Sequence, residues 1–542
     1  MRPANAGRRR RAADSGRGPE SRRGARPGCR SAALLWCGPA VALAACSFAP
    51  APETPATVAQ MPASFDAAAG AGEYDAERWW RTFDDPALER LVDKALVANL
   101  DLRQAVARLE ELRHRYRIAR ASLFPSVSLN GEVSRSSSPA NTGLGGQISG
   151  GDADSPPDSA GGGGFRFPDR FEFTTYSASL GFAYELDFWG RARNESSAAV
   201  REFLATRADL ETARISVIAA TISTYFEIAA LREQLALAEE TVDLLGERAE
   251  ITEERYRRGL VGSFELYSIR QEYRTAQADL PGLRSRLDDA EGRLAVLLGR
   301  FAGSLDGLLP DTAAAAVDTS SVPAALPVSL LEGRPDVLAA FERMEAARHR
   351  VGARRAELLP TVSLNGSVGF QSSEPEDLFR ADQWFLNLVG GIFAPLFEGG
   401  RLRANVGVAE AQYEQQAIAY VRAVLDAYRE VRTSLRGFEH ERERVARVTE
   451  QVEEAEASLE YQLRRYRSGV GDYVSYLDAR RNLAGARTVL SEAERGLAEA
   501  RLGVHRALGG AWVEPDEHSR EAGPAPETDR SRNQERPHGR RK

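Results

Sequence analysis

The chain has 542 residues, 43% hydrophobic and 27% charged, with a formal net charge of −7. An acidic balance of this kind argues against nucleic acid as a partner, and the six histidines (114, 349, 440, 505, 518 and 538) follow no metal-ligand spacing such as HExxH. Three cysteines are too few for a disulfide framework, so stability must come from packing and assembly.

Residues 1–30 carry ten Arg against Asp14 and Glu20, and the apolar stretch 31–45 contains Leu34, Leu35, Trp36, Val41 and Leu43. About 15 residues is too short for a membrane-spanning helix, which needs about 20, so 1–45 reads as a signal peptide. Its end, Leu43-Ala44-Ala45-Cys46, resembles the lipobox of bacterial lipoproteins. That resemblance implies cleavage before Cys46, an N-palmitoyl and an S-diacylglycerol group on that cysteine, and, with Ser47 rather than Asp following, sorting to the outer membrane. An ordinary small-x-small cleavage site with Cys46 incidental is the alternative. Loss of the leader removes ten positive and two negative charges, leaves the rest at −15, and makes Cys46 the only cysteine. The lipidated N-terminal segment would then occupy 46–85.

The chain repeats itself. Pro125-Ser126-Val127-Ser128-Leu129-Asn130-Gly131 returns as Pro360-Thr361-Val362-Ser363-Leu364-Asn365-Gly366, Arg255-Tyr256-Arg257-Arg258-Gly259 as Arg465-Tyr466-Arg467-Ser468-Gly469, and Leu298-Gly299 as Leu508-Gly509. An internal two-fold repeat is the economical explanation. It divides the chain into a first unit at 86–299, a linker at 300–333, a second unit at 334–513 and a tail at 514–542, whose Pro, Glu, Arg and Gly content predicts disorder.

In each unit a period of two marks strands. Val127, Leu129, Gly131 and Val133 alternate with Ser126, Ser128, Asn130 and Glu132, and Tyr176, Ala178, Leu180, Phe182, Tyr184, Leu186 and Phe188 with small or polar partners. The spacing predicts strands at about 126–135, 173–188, 361–371 and 384–395. A soluble sandwich alternates in the same way, but strand lengths near the 9 to 11 residues that cross a bilayer, with an aromatic-rich apolar face, favour a membrane barrel. Four strands cannot close one, since the smallest use about eight, and open edges are untenable in lipid, so several chains must share it. The Gly, Ser, Pro and Asp-rich turn at 135–170 reads as a surface loop.

A second periodicity is helical and long. No proline occurs between Pro168 and Pro281 or between Pro395 and Pro515, so 191–257 and 401–467 can run as helices of roughly 100 Å, each followed by another, at 263–299 and 472–508. Ile215, Ile218, Ile222 and Tyr225, and in the second copy Val421, Val424, Tyr428, Val431 and Leu435, follow 3,4 spacing, which predicts helices wound on neighbours. A free coiled-coil rod is the alternative. Small residues and register shifts in the seam suit a wider helical tube better. Arg334-Pro335-Asp336 reads as a structural helix start, with Pro and Asp both favourable in a first turn.

Trp79-Trp80-x-x-Phe83-x-Asp85-Pro86-x-Leu88-x-x-Leu91-Val92, Leu331-x-Gly333-Arg334-Pro335-Asp336-Val337 and Leu508-Gly509-Gly510-Ala511-Trp512 together resemble the outer membrane factors of resistance-nodulation-division (RND) efflux systems, in the lipoprotein branch of the TolC superfamily. The resemblance covers about 77–513. It implies an α+β membrane protein: a homotrimer whose four strands per chain join a shared twelve-stranded β-barrel in the outer membrane, continued by a long α-helical barrel across the periplasm. It also implies a passive exit duct for small molecules, fed by a periplasmic adaptor and an inner-membrane RND-type transporter. A duct for type I polypeptide secretion is the alternative within that class. A structural tether, a soluble adaptor and an enzyme fit less well, because each leaves the strands or the helices unused, and nothing resembles a nucleotide site or a catalytic constellation. No cofactor beyond the lipid is expected.

By the same resemblance, the periplasmic aperture falls at 465–478. Val474 and Asp478 would ring its narrowest point, Tyr466 and Arg467 would belong to the polar network closing it, and Asp472 sits in the same turn. Tyr256, Arg257 and Glu265 form the first-unit counterpart, where Ser263-Phe264-Glu265-Leu266 puts one carboxylate at a different offset. Threefold symmetry would multiply each side chain into a ring, and carboxylate rings attract cations. Asp478 as a simple solvated helix residue is the alternative, and the basic tips could equally serve adaptor docking.

Overall fold

The computed structural model describes residues 48–52, 55–60, 79–139, 170–303, 305, 307–309 and 333–509. The leader, Cys46, the loop interior, most of the linker, the end of the third motif and the tail lie outside them.

Four strands form one antiparallel sheet in the order β1 (Ser126–Pro139), β2 (Arg170–Leu186), β3 (Thr361–Ser372) and β4 (Trp384–Phe393). The register lines up apolar rows across all four: Val127, Phe182, Gly366 and Leu388 in one, and Leu129, Leu180, Val368 and Leu386 in the next. Ser128, Gly181, Ser367 and Asn387 make a row on the opposite face. Because side chains alternate with period two, one register decides the face of every residue. Val127, Leu129, Leu386, Leu388 and Ile392 are exposed, so the apolar face is not covered by the rest of the chain. β1 and β2 run past the expected limits at 135 and 173. Residues 134–139 and 170–175 pair only with each other, because the backbone ladder continues after the apolar alternation stops at Ser134. Part of the expected surface loop, 135–139, is therefore strand.

The helical layer is built from α1 (Ala56–Ala59), α2 (Pro86–Ala98), α3 (Leu100–Ala121), α4 (Arg191–Arg257), α5 (Ser263–Leu297), α6 (Pro335–Ala356), α7 (Arg401–Arg467) and α8 (Tyr473–Ala507). The 3,4 spacing and the lack of proline delimited the two 67-residue helices, and α4 and α7 run between the same residues. The alternation and seams named no element at 86–121, where α2 and α3 lie. α3 exposes most of its length and buries only Leu102, so its sequence carries little periodic signal.

α4 packs against α3 and α6 along one half and against α5 and α8 along the other. α3 follows on from the end of α5: Asn99 caps α3 by accepting from the Leu102 amide at 3.1 Å and donates to the Leu297 carbonyl at 3.1 Å. α6 follows on from α8 in the same way, with the Arg334 guanidinium donating to the Ala507 carbonyl and pairing with Asp336 at 2.7 Å and Glu430 at 2.8 Å. The Arg334-Pro335-Asp336 start is thus a helix junction. Midway along, Trp79, Trp80, Phe83 and the apolar face of α2 cover Ile218, Ile222 and Tyr225 of α4 and Leu294 of α5. Asp85 caps α2 through the Ala87 amide at 2.8 Å and accepts from the buried Tyr225 hydroxyl at 2.7 Å. Burial first, and then the Asp85 carboxylate, push the Tyr225 phenol up.

Candidate gate at the helix tips

Both long helices end in the same device. After α4 the Gly259 amide donates to the Tyr256 carbonyl and Leu260 to Arg255, each at 2.9 Å; after α7 Gly469 donates to Tyr466 at 3.0 Å and Val470 to Arg465 at 3.1 Å. This pattern needs a left-handed residue just past the helix, and Gly259 and Gly469 supply it at φ +70 and +76. The repeated Arg-Tyr-Arg-x-Gly string is therefore a helix stop followed by a tight turn into the returning helix.

The returning helix α8 is laced to α4 of the same chain. Arg480 pairs with Glu240 at 2.7 Å, the Tyr473 hydroxyl donates to Glu247 at 2.5 Å, Arg248 pairs with Asp478 at 2.5 Å and Arg255 with Asp472 at 2.6 Å. Glu240 and Glu247, and likewise Arg248 and Arg255, lie seven residues apart, so the four share one stripe of α4. A fifth pair, Arg481 with Glu272 at 2.7 Å, joins α8 to α5. The Arg255 hydrogen bond holds the Asp472 carboxyl below the usual range, and the hydrogen bond to Glu247 pushes the Tyr473 phenol up to about 12.

Asp472 and Asp478 are thus brought to α4 as halves of ion pairs, Asp478 lying 36% exposed beside Arg248. Tyr466 lies among aromatic rings, 4.9 Å from Tyr473 and stacked on Tyr476 at 6.2 Å. Val474 is half-buried in the first turn of α8, and Arg467 is exposed at the end of α7 without an ion pair among the described residues. In the first unit Arg257 pairs with Glu253 at 2.6 Å, a carboxylate shared with Arg270 and held low by Arg270 first and Arg257 second. Tyr256 and Glu265 are exposed. Sequence reading placed Tyr473 and Tyr476 within the aperture stretch without giving them a role, and missed Glu240, Glu247, Arg248 and Arg480. The heptad spacing of the α4 members was visible, but their partners lie more than 200 positions away.

The sheet with its exposed apolar face, the paired long helices and this tip define an α+β chain of the outer-membrane export type. The chain belongs to the outer membrane efflux protein family, which it matches over residues 91–300 and 326–510, and it works in efflux at the bacterial outer membrane; the family is one of export proteins, not of enzymes. It is 30% identical over 438 residues to the pyoverdine export outer membrane protein OpmQ of Pseudomonas putida, covering 80% of this chain and 88% of that one. It is 28% identical over 479 residues to the cation efflux system protein CusC of Escherichia coli, covering 87% and 97%. Among solved structures it is similar to CusC, with a TM-score of 0.70 and 26% identity over 86% of this chain and 100% of that one. The open state of the Neisseria gonorrhoeae MtrE outer membrane channel gives a TM-score of 0.71 at 28% identity over 86% and 99%.

Proposed function

We propose that three copies of this chain close one twelve-stranded barrel in the outer membrane and one helical tunnel beneath it, each chain being a duplicated unit. The observation that carries this reading is the registered sheet: its exposed apolar rows need lipid, and its two free edges need further strands, since unpaired backbone groups have no water to bond in a bilayer. The 67-residue helices, roughly 100 Å long, supply a passage into the periplasm. The duct is passive. An inner-membrane RND-type transporter supplies the energy and a periplasmic adaptor joins it to the helix tips, in keeping with relatives whose names assign them to pyoverdine export and cation efflux. Cys46 carries the N-palmitoyl and S-diacylglycerol groups, and the barrel holds the membrane far more firmly than they do, because acyl chains, even several together, do not approach the hold of a membrane-spanning element.

The tip ties between α4 and α8 form the gate, and opening separates the α7–α8 pair from the α4–α5 pair by breaking them. Val474 and the Asp478 carboxylates of three chains line the constriction, and Arg467, without an ion pair among the described residues, reaches the neighbouring chain. The deciding experiment is reconstitution of the full chain in planar bilayers with a parallel mass measurement in detergent. The expected result is a three-chain particle with a small resting conductance. A monodisperse monomer, or a particle that never conducts, overturns the reading.

A further inference from the structure

Residues 48–52 and 55–60 lie as a strap on the helical layer. Arg355 donates to the Phe48 carbonyl at 3.5 Å and Arg348 to the Pro50 carbonyl at 2.8 Å, while Val58 in α1 packs on the apolar cluster shared by α6 and α7. The strap therefore runs antiparallel to α6, starting near the end of α6 that leads into β3. Its tightest contact is at Gly352, where a Cβ would lie 2.7 Å from the Ala49 nitrogen and 2.9 Å from its Cα. Any side chain there would have to push the strap backbone away.

α3 offers nearly the same surface. Arg113-His114-Arg115 matches Arg348-His349-Arg350 and Arg120 matches Arg355, at a constant offset. The ion pair beneath the strap is matched too: Arg348 with Glu345 at 2.8 Å on α6, and Arg113 with Glu110 at 3.2 Å on α3. On α6 those two side chains are 12% and 8% exposed, and on α3 both are 51% exposed. The arginines that hold the strap are thus present on both helices, but the notch is not, because Arg117 stands on α3 where Gly352 stands on α6.

We propose that Gly352 assigns the N-terminal strap to α6 rather than to the matching helix α3, and so fixes which side of each chain the strap from Phe48 onward occupies. An arginine at 352 would occupy the volume now filled by Ala49, and the part-buried hydrogen bonds from Arg348 and Arg355 alone are too weak to hold the strap in place against it.

The test is limited proteolysis of the purified full chain, read by mass spectrometry for cuts between residues 47 and 60. Gly352→Arg installs the α3 residue, and Ala49→Trp crowds the same notch from the strap side without altering α6. Both should be cut in the strap at least ten-fold faster than the unaltered protein, whereas Arg117→Gly should match it. Unaltered cleavage in either crowding variant overturns the proposal, and if Gly352→Arg fails to fold, Ala49→Trp decides alone. Bilayer conductance is a separate readout, so a failure of this inference leaves the duct reading untouched.

Discussion

Arg248 and Asp478, 230 positions apart, meet at 2.5 Å between α4 and α8. This pair and its neighbour Arg255 with Asp472, together with the Tyr473 hydroxyl on Glu247, join the tip of the first helix pair to the tip of the second. Exposed ion pairs contribute only about 0.5 kcal/mol each, so such a seam can hold a tip closed and still open at small cost.

The double variant Arg248→Ala, Arg255→Ala should therefore raise resting conductance in planar bilayers about five-fold, the Boltzmann factor for losing roughly 1 kcal/mol. Conductance equal to that of the unaltered protein would show that these ties do not gate the duct. A companion double variant, Asp478→Ala with Arg467→Ala, should also conduct more at rest.

Acid should open the same seam only at low pH. Asp472 is held below its ordinary value by Arg255, so its tie is fully present above the unbonded carboxylate value of about 3.9 and is lost as pH falls through the lower folded one. Resting conductance should be flat from pH 7 to 5 and rise only below about 4. A rise centred near pH 6 would point to a histidine instead.

His505 is buried at 3% exposure, stacked on Trp79 at 5.1 Å, and its Nε2 lies 3.3 Å from the Thr82 hydroxyl. Burial, and then the Arg501 charge, depress it to about 3. Unfolding lets it take up a proton below about pH 6.5, so between those values stability should fall by up to about 1.4 kcal/mol per pH unit of acidification. Guanidinium unfolding at pH 7, 5.5 and 4 should show this slope, and His505→Phe, which keeps a ring on Trp79, should flatten it.

Tyr225 and Asp85 share a buried hydrogen bond while Asp85 also caps α2. Tyr225→Phe should lower stability by about 1 kcal/mol, and Asp85→Ala by about 2 to 3 kcal/mol, because it removes the cap and strands the Tyr225 hydroxyl. Thermal unfolding of the two single variants and the double variant would read the coupling, and fully additive losses would deny that the pair acts as one unit.

Cys46→Ser behind a cleavable signal should abolish palmitate labelling, yet leave the protein in the outer-membrane fraction after an alkaline wash, with slower assembly as the main defect. Label persisting in that variant would rule Cys46 out as the acylation site.

Much of the fold was legible because its signals are local. The alternation from Val127 to Val133, the unbroken 3,4 spacing from Ile215 to Tyr225, the missing prolines and the two Arg-Tyr-Arg-x-Gly stops each concern residues within a few positions of one another. α2, α3 and the ends of β1 and β2 were less legible. α3 has almost no buried face, and residues 134–139 stay in the ladder by backbone pairing that leaves no mark on side-chain pattern. At the tip, the sequence pointed to Asp472, Tyr466 and Asp478 but not to Glu240, Glu247 or Arg248.

The sequence by itself determined the two long helices and their ends, the turns at the tips and the apolar face of each strand, since these follow from backbone propensities and side-chain periodicity along one stretch of chain. Only the tertiary structure decided that Asp478 faces Arg248, that Asn99 and Arg334 join stacked helices, and that Gly352 rather than Arg117 receives the strap. Those relations depend on which helix lies beside which, and that is set by the burial of surfaces hundreds of residues apart.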